Sequence, residues 1–324
     1  MPDSVQPPVR PAELIAQRLR AGTAAGAHGD GARLALVIEG GSARGAYSHG
    51  MVMGLEEFGI LGCFDAVYGA SAGALNGAWL LCGRAVRARR AWHADVVRRV
   101  ISPARALRGG PVVDTRYLVH TVYERIVPMD FPAILTSAVT FHPIGTDIAD
   151  GRAVDLRPHI RDTGSLQRAL RASTCMPVLA GRPVALAGSH YVDAGLSESV
   201  PIHTARAQGA THIVVLRTRR EDEIPSGPSQ FERKVVGRVL GGYGPGVVRS
   251  WANRSNRYAA DELLMATDPS FLQIRPPLGA PDIGRVARDS AVLLRALDVG
   301  RAATLAALRH AVAAGGERPD EVTA

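Results

Sequence analysis

A serine between two glycines is the first residue of this sequence whose surroundings suggest chemistry. Five consecutive residues match the pattern G-x-S-x-G, namely Gly69-Ala70-Ser71-Ala72-Gly73. In this pattern a sharp turn between a strand and a helix lifts the serine hydroxyl clear of both. A helix that starts just after Ser71 would direct its N-terminal amides at an oxyanion on the substrate. The pattern predicts a serine nucleophile for acyl transfer, and the alternative is a small residue in close helix-to-sheet packing.

A glycine-rich loop is the second candidate. It follows the first apolar run of the chain and reads Gly40-Gly41-Ser42-Ala43-Arg44-Gly45. Consecutive main-chain N–H groups in such a loop can bind an anion, so the loop could stabilise the tetrahedral intermediate of acyl transfer. Similar loops bind the phosphates of dinucleotides, but that fingerprint requires glycine at the third position, where this chain has Ser42. A nucleotide site is therefore the weaker interpretation.

Two residues are candidates for the base, which is needed because a serine hydroxyl is a poor nucleophile until its proton is removed. Asp193 ends a short strand-like run and enters the tight turn Ala194-Gly195, a location suited to presenting a carboxylate at a sheet edge. The order Ser71, Asp193, His203 also satisfies the chain order of an α/β-hydrolase triad. His203, however, lies in the first turn of a predicted helix, an ordinary place for a polar residue. Asp193 is the stronger candidate, and a Ser-His-Asp esterase is the alternative.

The elements around these candidates alternate between strand and helix. The sequence predicts strands over 34–38, 65–68, 136–148, 153–156, 184–186, 191–192 and 212–217. It predicts helices over 43–58 and 74–81, a mostly helical stretch over 84–127, a helix capped by Ser165 that ends near Ser173, and helices toward the C-terminus. This β-α-β-α order predicts a mostly parallel sheet with right-handed crossovers.

The length and composition favour one large α/β domain with an appendage. The chain has 324 residues, of which 46% are apolar and 21% charged, which is typical of a soluble globular protein. We expect a flexible N-terminal arm over 1–32, a catalytic domain over 33–220, a flexible linker or flap over 221–246 and a C-terminal helical region over 247–324. The flap is expected because its segment is rich in Gly, Pro and Ser.

The charge of the chain bears on its partners. Lysine and arginine number 38 against 30 acidic residues, a net charge of +8. A positive surface attracts anionic lipid headgroups or nucleic acid. Aromatic residues make up only 5% and do not interleave with basic runs, so nucleic-acid binding is not expected. Nothing in the sequence indicates an oligomeric state.

The cysteines and acids do not suggest a metal site. Cys63, Cys82 and Cys175 lack CxxC spacing, which predicts neither disulfides nor zinc and fits a reducing cytoplasm. Asp147 and Asp150 lack the further acids of an EF-hand loop, so a turn is favoured over calcium. The N-terminus has no apolar segment of the kind found in secretory signals. We expect no metal and no cofactor.

Four segments together resemble the motifs of the patatin-like phospholipase family, and they are 40–45, 69–73, 172–178 and 191–195. The resemblance spans about 34–218 and implies a three-layer α/β/α fold with a mostly parallel central sheet. Members of that family use a Ser–Asp dyad without a catalytic histidine. The resemblance therefore implies Ser71 as the nucleophile and Asp193 as the general base.

The resemblance also implies an oxyanion hole formed by Gly40, Gly41 and Ser42. The residues implied to support the loop, the serine turn and the base are Arg44, Gly45, Gly69, Gly73, Ala194 and Gly195. The family's loop usually reads G-G-G-x-[RK]-G, and Ser42 replaces its third glycine, where a β-carbon penalises a positive φ. The family's base motif is usually D-G-[GA], and Ala194 replaces its middle glycine. Arg44 is expected to hold the loop in shape rather than to bind a headgroup.

The resemblance predicts an enzyme that hydrolyses acyl esters of lipids or phospholipids. We expect a cytoplasmic protein that makes peripheral contact with anionic membranes. The alternative from a different class is a non-catalytic relative that keeps the pocket and binds a lipid.

Overall fold

An eight-stranded mixed sheet forms the centre of the computed structural model, which describes residues 9–223 and 230–314. The strands are β1 (Leu34–Ile38), β2 (Ala66–Ala70), β3 (Thr140–Asp147), β4 (Ala153–Asp155), β5 (Val184–Leu186), β6 (Ser189–Asp193), β7 (His212–Leu216) and β8 (Phe271–Ile274). Their order is β5-β6-β3-β2-β1-β7-β8, and β4 also pairs with β3. The five strands β1, β2, β3, β7 and β8 pair in parallel, while β4, β5 and β6 pair antiparallel. The predicted mostly parallel sheet is confirmed.

Helices cover both faces of this sheet. They are α1 (Pro11–Ala21), α2 (Gly45–Phe58), α3 (Ala72–Leu81), α4 (Ala85–Ala88), α5 (Ala94–Val100), α6 (Thr115–Tyr117), α7 (Phe131–Leu135), α8 (Thr163–Ser173), α9 (Ile202–Ala207), α10 (Gln230–Gly241), α11 (Pro245–Ala252), α12 (Arg254–Thr267) and α13 (Ser290–Ala314). A π-helical segment, Leu118–Ile126, follows α6. In the part of the chain that the structure describes, no helix has both the length and the apolar character needed to cross a membrane.

Strand β1 is apolar throughout because both of its faces are covered. Leu34, Leu36 and Ile38 belong to a core that includes α2, α3 and α13. Ala35 and Val37 belong to a second core, which includes α9 and α12. All five residues are buried, as expected for a central parallel strand. The molecule therefore has the three layers of an α/β/α fold.

The helices α2 and α13 pack with their backbones in contact. A β-carbon on Gly50 would lie 1.9 Å from the main-chain oxygen of Leu297, so no larger residue fits there. Further along both helices, Gly54 lies against Thr304. The two helices therefore run in the same direction, away from the glycine-rich loop that precedes α2.

The N-terminal segment differs from the expected flexible arm. Leu14 and Ile15 of α1 are buried in the core. Arg18 is only 2% exposed, and its guanidinium donates to Asp30 at 2.7 Å and to Asp65 at 2.9 Å. Residues 9–32 are thus fastened to the sheet, because the buried cation that precedes the Gly- and Ala-rich stretch binds one carboxylate at the end of that stretch and a second one just before β2. Residues 1–8 lie outside the described part of the chain.

The segment expected as a linker or flap is partly a packed helix. Helix α10 occupies 230–241, and Leu240 is buried against Val192, Leu196 and Trp251. A β-carbon on Gly246 would lie 2.1 Å from the main-chain oxygen of Asp150, so this backbone packs directly on the β3–β4 hairpin. Residues 236–246 therefore pack against the domain where a flexible linker or flap was expected, and 224–229 lie outside the described residues.

Two further details correct the sequence prediction. The C-terminal region contains a strand, β8, which pairs with β7 at the sheet edge. Helix α8 is capped by Asp162, whose carboxylate accepts from the amide of Ser165 at 2.7 Å. The hydroxyl of Ser165 in turn accepts from the Asp162 amide at 2.9 Å, so Ser165 completes a capping box instead of being the cap.

Candidate active site

Ser71 lies between the end of β2 and the start of α3 in a strained conformation. Its φ is 53° and its ψ is −123°, a region that side-chain-bearing residues rarely adopt. The flanking glycines permit the sharp turn. A β-carbon on Gly73 would lie 2.2 Å from the main-chain oxygen of Ile38, and one on Gly69 would lie 2.5 Å from Cα of Ala74. The strand and helix therefore hold the serine in one orientation, with the α3 N-terminus beside it.

Asp193 lies directly against this serine. The Ser71 hydroxyl donates to Oδ2 of Asp193 at 2.6 Å, and the amide of Gly195 donates to Oδ1 at 2.8 Å. Both side chains are buried, since Ser71 is 5% and Asp193 is 3% exposed. The main chain of Asp193 is fixed as well, because its oxygen accepts from Thr146 and its amide donates to the oxygen of Cys175. The structure thus brings together two residues that are far apart in the sequence.

Burial controls the protonation of the carboxyl group. It raises the pKa of Asp193 to about 6, while the hydrogen bonds from Ser71 and Gly195 and the charge of Arg285 act in the opposite direction. Asp193 is therefore ionised at neutral pH, yet its affinity for a proton is higher than that of an exposed aspartate. A group of this kind can act as a general base.

The glycine-rich loop lies beside Ser71, because β1 and β2 are parallel neighbours and Ile38 is opposite Gly69. A β-carbon on Gly40 would lie 3.1 Å from Cβ of Ser71. The amide of Gly40, however, donates to the main-chain oxygen of Ser199 at 2.9 Å. The expectation that Gly40 donates to an oxyanion is therefore corrected: this residue permits the close approach, and its N–H is already used.

The next two amides of the loop differ from that of Gly40. Among the described residues, the main-chain N–H groups of Gly41 and Ser42 have no hydrogen-bond partner. Gly41 must lack a side chain, since a β-carbon there would lie 2.8 Å from Oγ1 of Thr218. These two amides, together with the N-terminus of α3, are the donors that the site offers to an anion.

Ser42 adopts the positive φ that its position requires. Its φ is 53°, the conformation for which glycine is usually used. Its hydroxyl donates to the main-chain oxygen of Arg285 at 2.7 Å, and the Ala43 amide donates to the same oxygen at 3.2 Å. The serine side chain thus forms a contact that a glycine could not, which offsets the backbone strain and ties the loop to the segment before α13.

Arg44 and Gly45 connect the loop to neighbouring elements. Arg44 donates to the main-chain oxygen of Ile283 at 3.4 Å, in line with the expected structural role. Burial, followed by the charges of Arg219 and Arg285, lowers the pKa of Arg44. Gly45 lies against α3, since a β-carbon there would lie 2.6 Å from Cβ of Ala72.

A buried ion pair behind the loop was not predicted from the sequence. Arg217 is 0% and Glu39 is 1% exposed, and they are joined by a 3.0 Å hydrogen bond. Glu39 also accepts from the amide of Thr218 at 2.7 Å, and the Thr218 hydroxyl donates to the main-chain oxygen of Gly40 at 2.9 Å. The sequence did contain a signal for this pair, because Glu39 and Arg217 each directly follow an apolar run that predicts a strand. Together these contacts position the start of the glycine-rich loop.

His203 lies apart from the serine. Its side chain is 59% exposed, and Nε2 is 2.7 Å from Oδ1 of Asp261. Another histidine, His49, lines the same cavity as Ser71. The ring nitrogens of His49 face Asn76 and the main-chain oxygen of Ala85, and burial lowers its pKa to about 4. The structure therefore does not assemble a Ser-His-Asp triad.

A cavity of about 110 Å³ adjoins the Ser71–Asp193 pair. Ser71, Asp193 and the loop residue Ser42 contribute polar groups to its wall. Most of the remaining lining is apolar, and it includes Leu75, Trp79, Val97, Val100 and Tyr123. A cavity of this composition can accommodate a hydrocarbon chain while its bound carbonyl lies at the polar end.

The fold and the site together define the class of protein. A family model described as "Patatin-like phospholipase" matches residues 36–206, more than half of the chain. The chain belongs to the patatin-like phospholipase family, which is a family of lipid acyl hydrolases.

Two known proteins are similar to this chain, one in sequence and one in structure. The "Uncharacterized protein YjjU" of Escherichia coli (strain K12) is 32% identical over 194 residues, which are 57% of this chain and 52% of that protein. The chain thus spans about half the length of this curated relative. The crystal structure of VipD from Legionella pneumophila superimposes with a TM-score of 0.42 at 12% identity, covering 86% of this chain and 67% of VipD.

Proposed function

We propose that this protein hydrolyses acyl esters of lipids with Ser71 as the nucleophile and Asp193 as the general base. The observation that carries the proposal is the 2.6 Å hydrogen bond between the Ser71 hydroxyl and the Asp193 carboxylate. The apolar cavity that begins at this pair supports a substrate with a hydrocarbon chain. Membership of the patatin-like phospholipase family supports the same substrate class.

The reaction proceeds through an acyl-enzyme. Asp193 accepts the proton from Oγ of Ser71 as this oxygen forms a bond to the ester carbonyl carbon. The carbonyl electron pair moves onto the oxygen, where the amides of Gly41 and Ser42 and the α3 N-terminus stabilise the negative charge. The tetrahedral intermediate collapses, the ester C–O bond breaks, and the alcohol leaves with the proton from Asp193.

The second half repeats these steps with water. Asp193 removes a proton from the water that attacks the acyl-serine, and the oxyanion is stabilised by the same donors. When this intermediate collapses, Ser71 regains its proton and the fatty acid leaves. The pKa of about 6 suits both roles of Asp193, because the group is ionised at neutral pH and can hold a proton transiently.

The test is hydrolysis of a water-soluble nitrophenyl ester by purified variants. We expect Ser71→Ala and Asp193→Asn each to lower kcat/KM by on the order of a thousandfold or more. His203→Ala is the control and should retain most activity, since its ring pairs with Asp261. Loss of activity in the His203 variant alone would replace the dyad with a histidine-dependent esterase. A folded wild type without hydrolysis of nitrophenyl or lipid esters would favour the non-catalytic lipid-binding relative.

A further inference from the structure

A protruding loop lies at the rim of the cavity, and the proposed chemistry does not use it. We define the rim loop as residues 102–112. An antiparallel bridge between Ile101 and Val113 closes its base, and the amide of Ser102 donates to the oxygen of Val112 at 2.8 Å. Ile101 and Val113 also line the cavity. The loop therefore projects directly from the cavity wall.

The rim loop carries an apolar side chain at its tip. Leu107 is 90% exposed, the highest value for a large apolar side chain in the part of the chain that the structure describes. Val178, which follows the cavity residue Met176, is 44% exposed. The two sides of the rim are connected, because Val113 donates to the main-chain oxygen of Leu179 at 2.8 Å. Exposed apolar groups on both sides of a cavity are unfavourable in water and gain by contact with an apolar phase.

The loop holds its shape through an arginine of its own. The Arg105 guanidinium donates to the main-chain oxygens of Pro111, Arg99 and Val112. Main-chain oxygens on both sides of the loop thus converge on one cation. Leu107 is consequently displayed on a braced turn, the 3₁₀ segment Pro103–Arg108, instead of folding back onto the core.

The surface around the tip is basic. Arg98, Arg99 and Arg108 are exposed at or beside the rim loop. The acid on the far side of the loop, Asp114, lies 3.9 Å from Arg105, so its charge is partly balanced there. Exposed arginines around a projecting leucine match the chemistry of an anionic lipid surface, which offers phosphates outside and hydrocarbon beneath.

We propose that the rim loop docks the protein on anionic membranes, with Leu107 inserted among the lipid chains and the surrounding arginines on headgroup phosphates. The proposal deepens the proposed function and rests on it, since a lipid ester hydrolase needs its cavity mouth to face the lipid. Docking at this place shortens the path of an ester from the bilayer to Ser71.

The test is sedimentation with vesicles of phosphatidylcholine, with and without phosphatidylglycerol. We expect Leu107→Ser to weaken binding to phosphatidylglycerol vesicles by about tenfold or more. The matched control is Leu263→Ser, because Leu263 is 67% exposed on α12, which covers the other sheet face. Equal binding of wild type and Leu107→Ser, or no binding of the wild type to these vesicles, would overturn the proposal.

The arginines are tested separately. Arg99→Gln and Arg108→Gln should each weaken binding to phosphatidylglycerol vesicles by about fivefold. The control is Arg309→Gln, since Arg309 lies near the far end of α13, which runs away from the glycine-rich loop. A loss of binding as large in the Arg309 variant as in the Arg99 and Arg108 variants would show general charge attraction and contradict a docking loop.

A soluble substrate separates this proposal from the proposed function. Leu107→Ser should keep wild-type hydrolysis of a short-chain nitrophenyl ester and lose turnover of phospholipid in vesicles. A wild type that binds vesicles through Leu107 but hydrolyses no ester would contradict the proposed function and leave the docking surface supported. A Leu107→Ser variant that hydrolyses vesicle phospholipid at the wild-type rate would contradict the docking loop alone.

Discussion

At the scale of single residues, the site depends on a carboxyl group whose environment opposes its charge. Asp193 is buried beside Ser71 and accepts two hydrogen bonds, from the serine hydroxyl and from the Gly195 amide. The hydrogen bonds favour the ionised form and burial favours the neutral form. The balance places the pKa at about 6, about two units above the usual value of 3.8. A stronger base results, and at neutral pH the ionised carboxylate lowers the stability of the folded state by about 3 kcal/mol relative to an exposed aspartate.

This pKa has a direct consequence for the pH profile. Protonated Asp193 cannot accept the serine proton, so we expect kcat/KM for a soluble ester to fall about tenfold per pH unit below about pH 6. Arg285→Gln should move the midpoint to higher pH, because the charge of Arg285 lowers the pKa of Asp193. The substitution does not remove the acceptor for Ser42, because that contact uses the main-chain oxygen of Arg285. An unchanged rate down to about pH 4, near the pKa of an exposed aspartate, would contradict the assignment.

At the scale of elements, α3 connects Ser71, the proposed nucleophile, to the aromatic part of the cavity wall. Ser71 precedes this helix and Trp79 follows two turns later, about 12 Å along the axis. The ring of Trp79 meets that of Tyr123 edge to face with centroids 4.9 Å apart, and both side chains line the cavity. We therefore expect this aromatic pair to limit how far the acyl chain of the proposed substrate extends from Ser71.

Shortening this aromatic side chain should change substrate preference. We expect Trp79→Leu to raise kcat/KM for long-chain relative to short-chain nitrophenyl esters by about tenfold, because the smaller side chain extends the cavity. Trp251→Leu is the matched control, since Trp251 is buried among α11 and its neighbours, away from the cavity. The same chain-length preference in the Trp79 variant and the wild type would show that the limit lies elsewhere.

The glycine-rich loop is held in shape by contacts from other elements. Its shape depends on Ser199, Thr218 and Arg285, residues far along the chain that contact it mainly through main-chain atoms. Glu39 and Arg217 add a buried ion pair beneath it. Removing one partner of such a pair leaves an uncompensated buried charge. Neither residue can therefore be replaced alone without destabilising the loop that the pair supports.

At the scale of the whole molecule, local patterns predicted the central sheet and singled out the two residues of the proposed dyad. The run before Gly40 is apolar throughout because β1 is covered on both faces, and the turn at Ser71 is recognisable from its flanking small residues. Both features are set by neighbours in sequence. The contact between Ser71 and Asp193 could be predicted only from the family resemblance, since it depends on where β6 joins the sheet.

The features that the sequence did not predict arise from distant contacts. The Gly40 amide is used by the main-chain oxygen of Ser199, and a main-chain acceptor carries no residue-specific signal. Strand β8 is short and only partly buried, so its apolar pattern is weak. The N-terminal segment is anchored because Arg18 reaches Asp65, a partner that composition cannot identify. The Gly- and Ala-rich part of this segment was therefore predicted to be flexible, although the buried guanidinium of Arg18 holds it in place.

The central claim is that the Ser71 hydroxyl is an activated nucleophile, and covalent labelling with a fluorophosphonate tests it most directly. The probe should form one phosphonylated adduct on the peptide that contains Ser71, identified by mass spectrometry of the digested protein. Asp193→Asn should slow this labelling strongly, and Ser71→Ala should abolish it. A folded wild-type protein that acquires no adduct, or acquires it on another residue at the same rate in Ser71→Ala, would contradict the account.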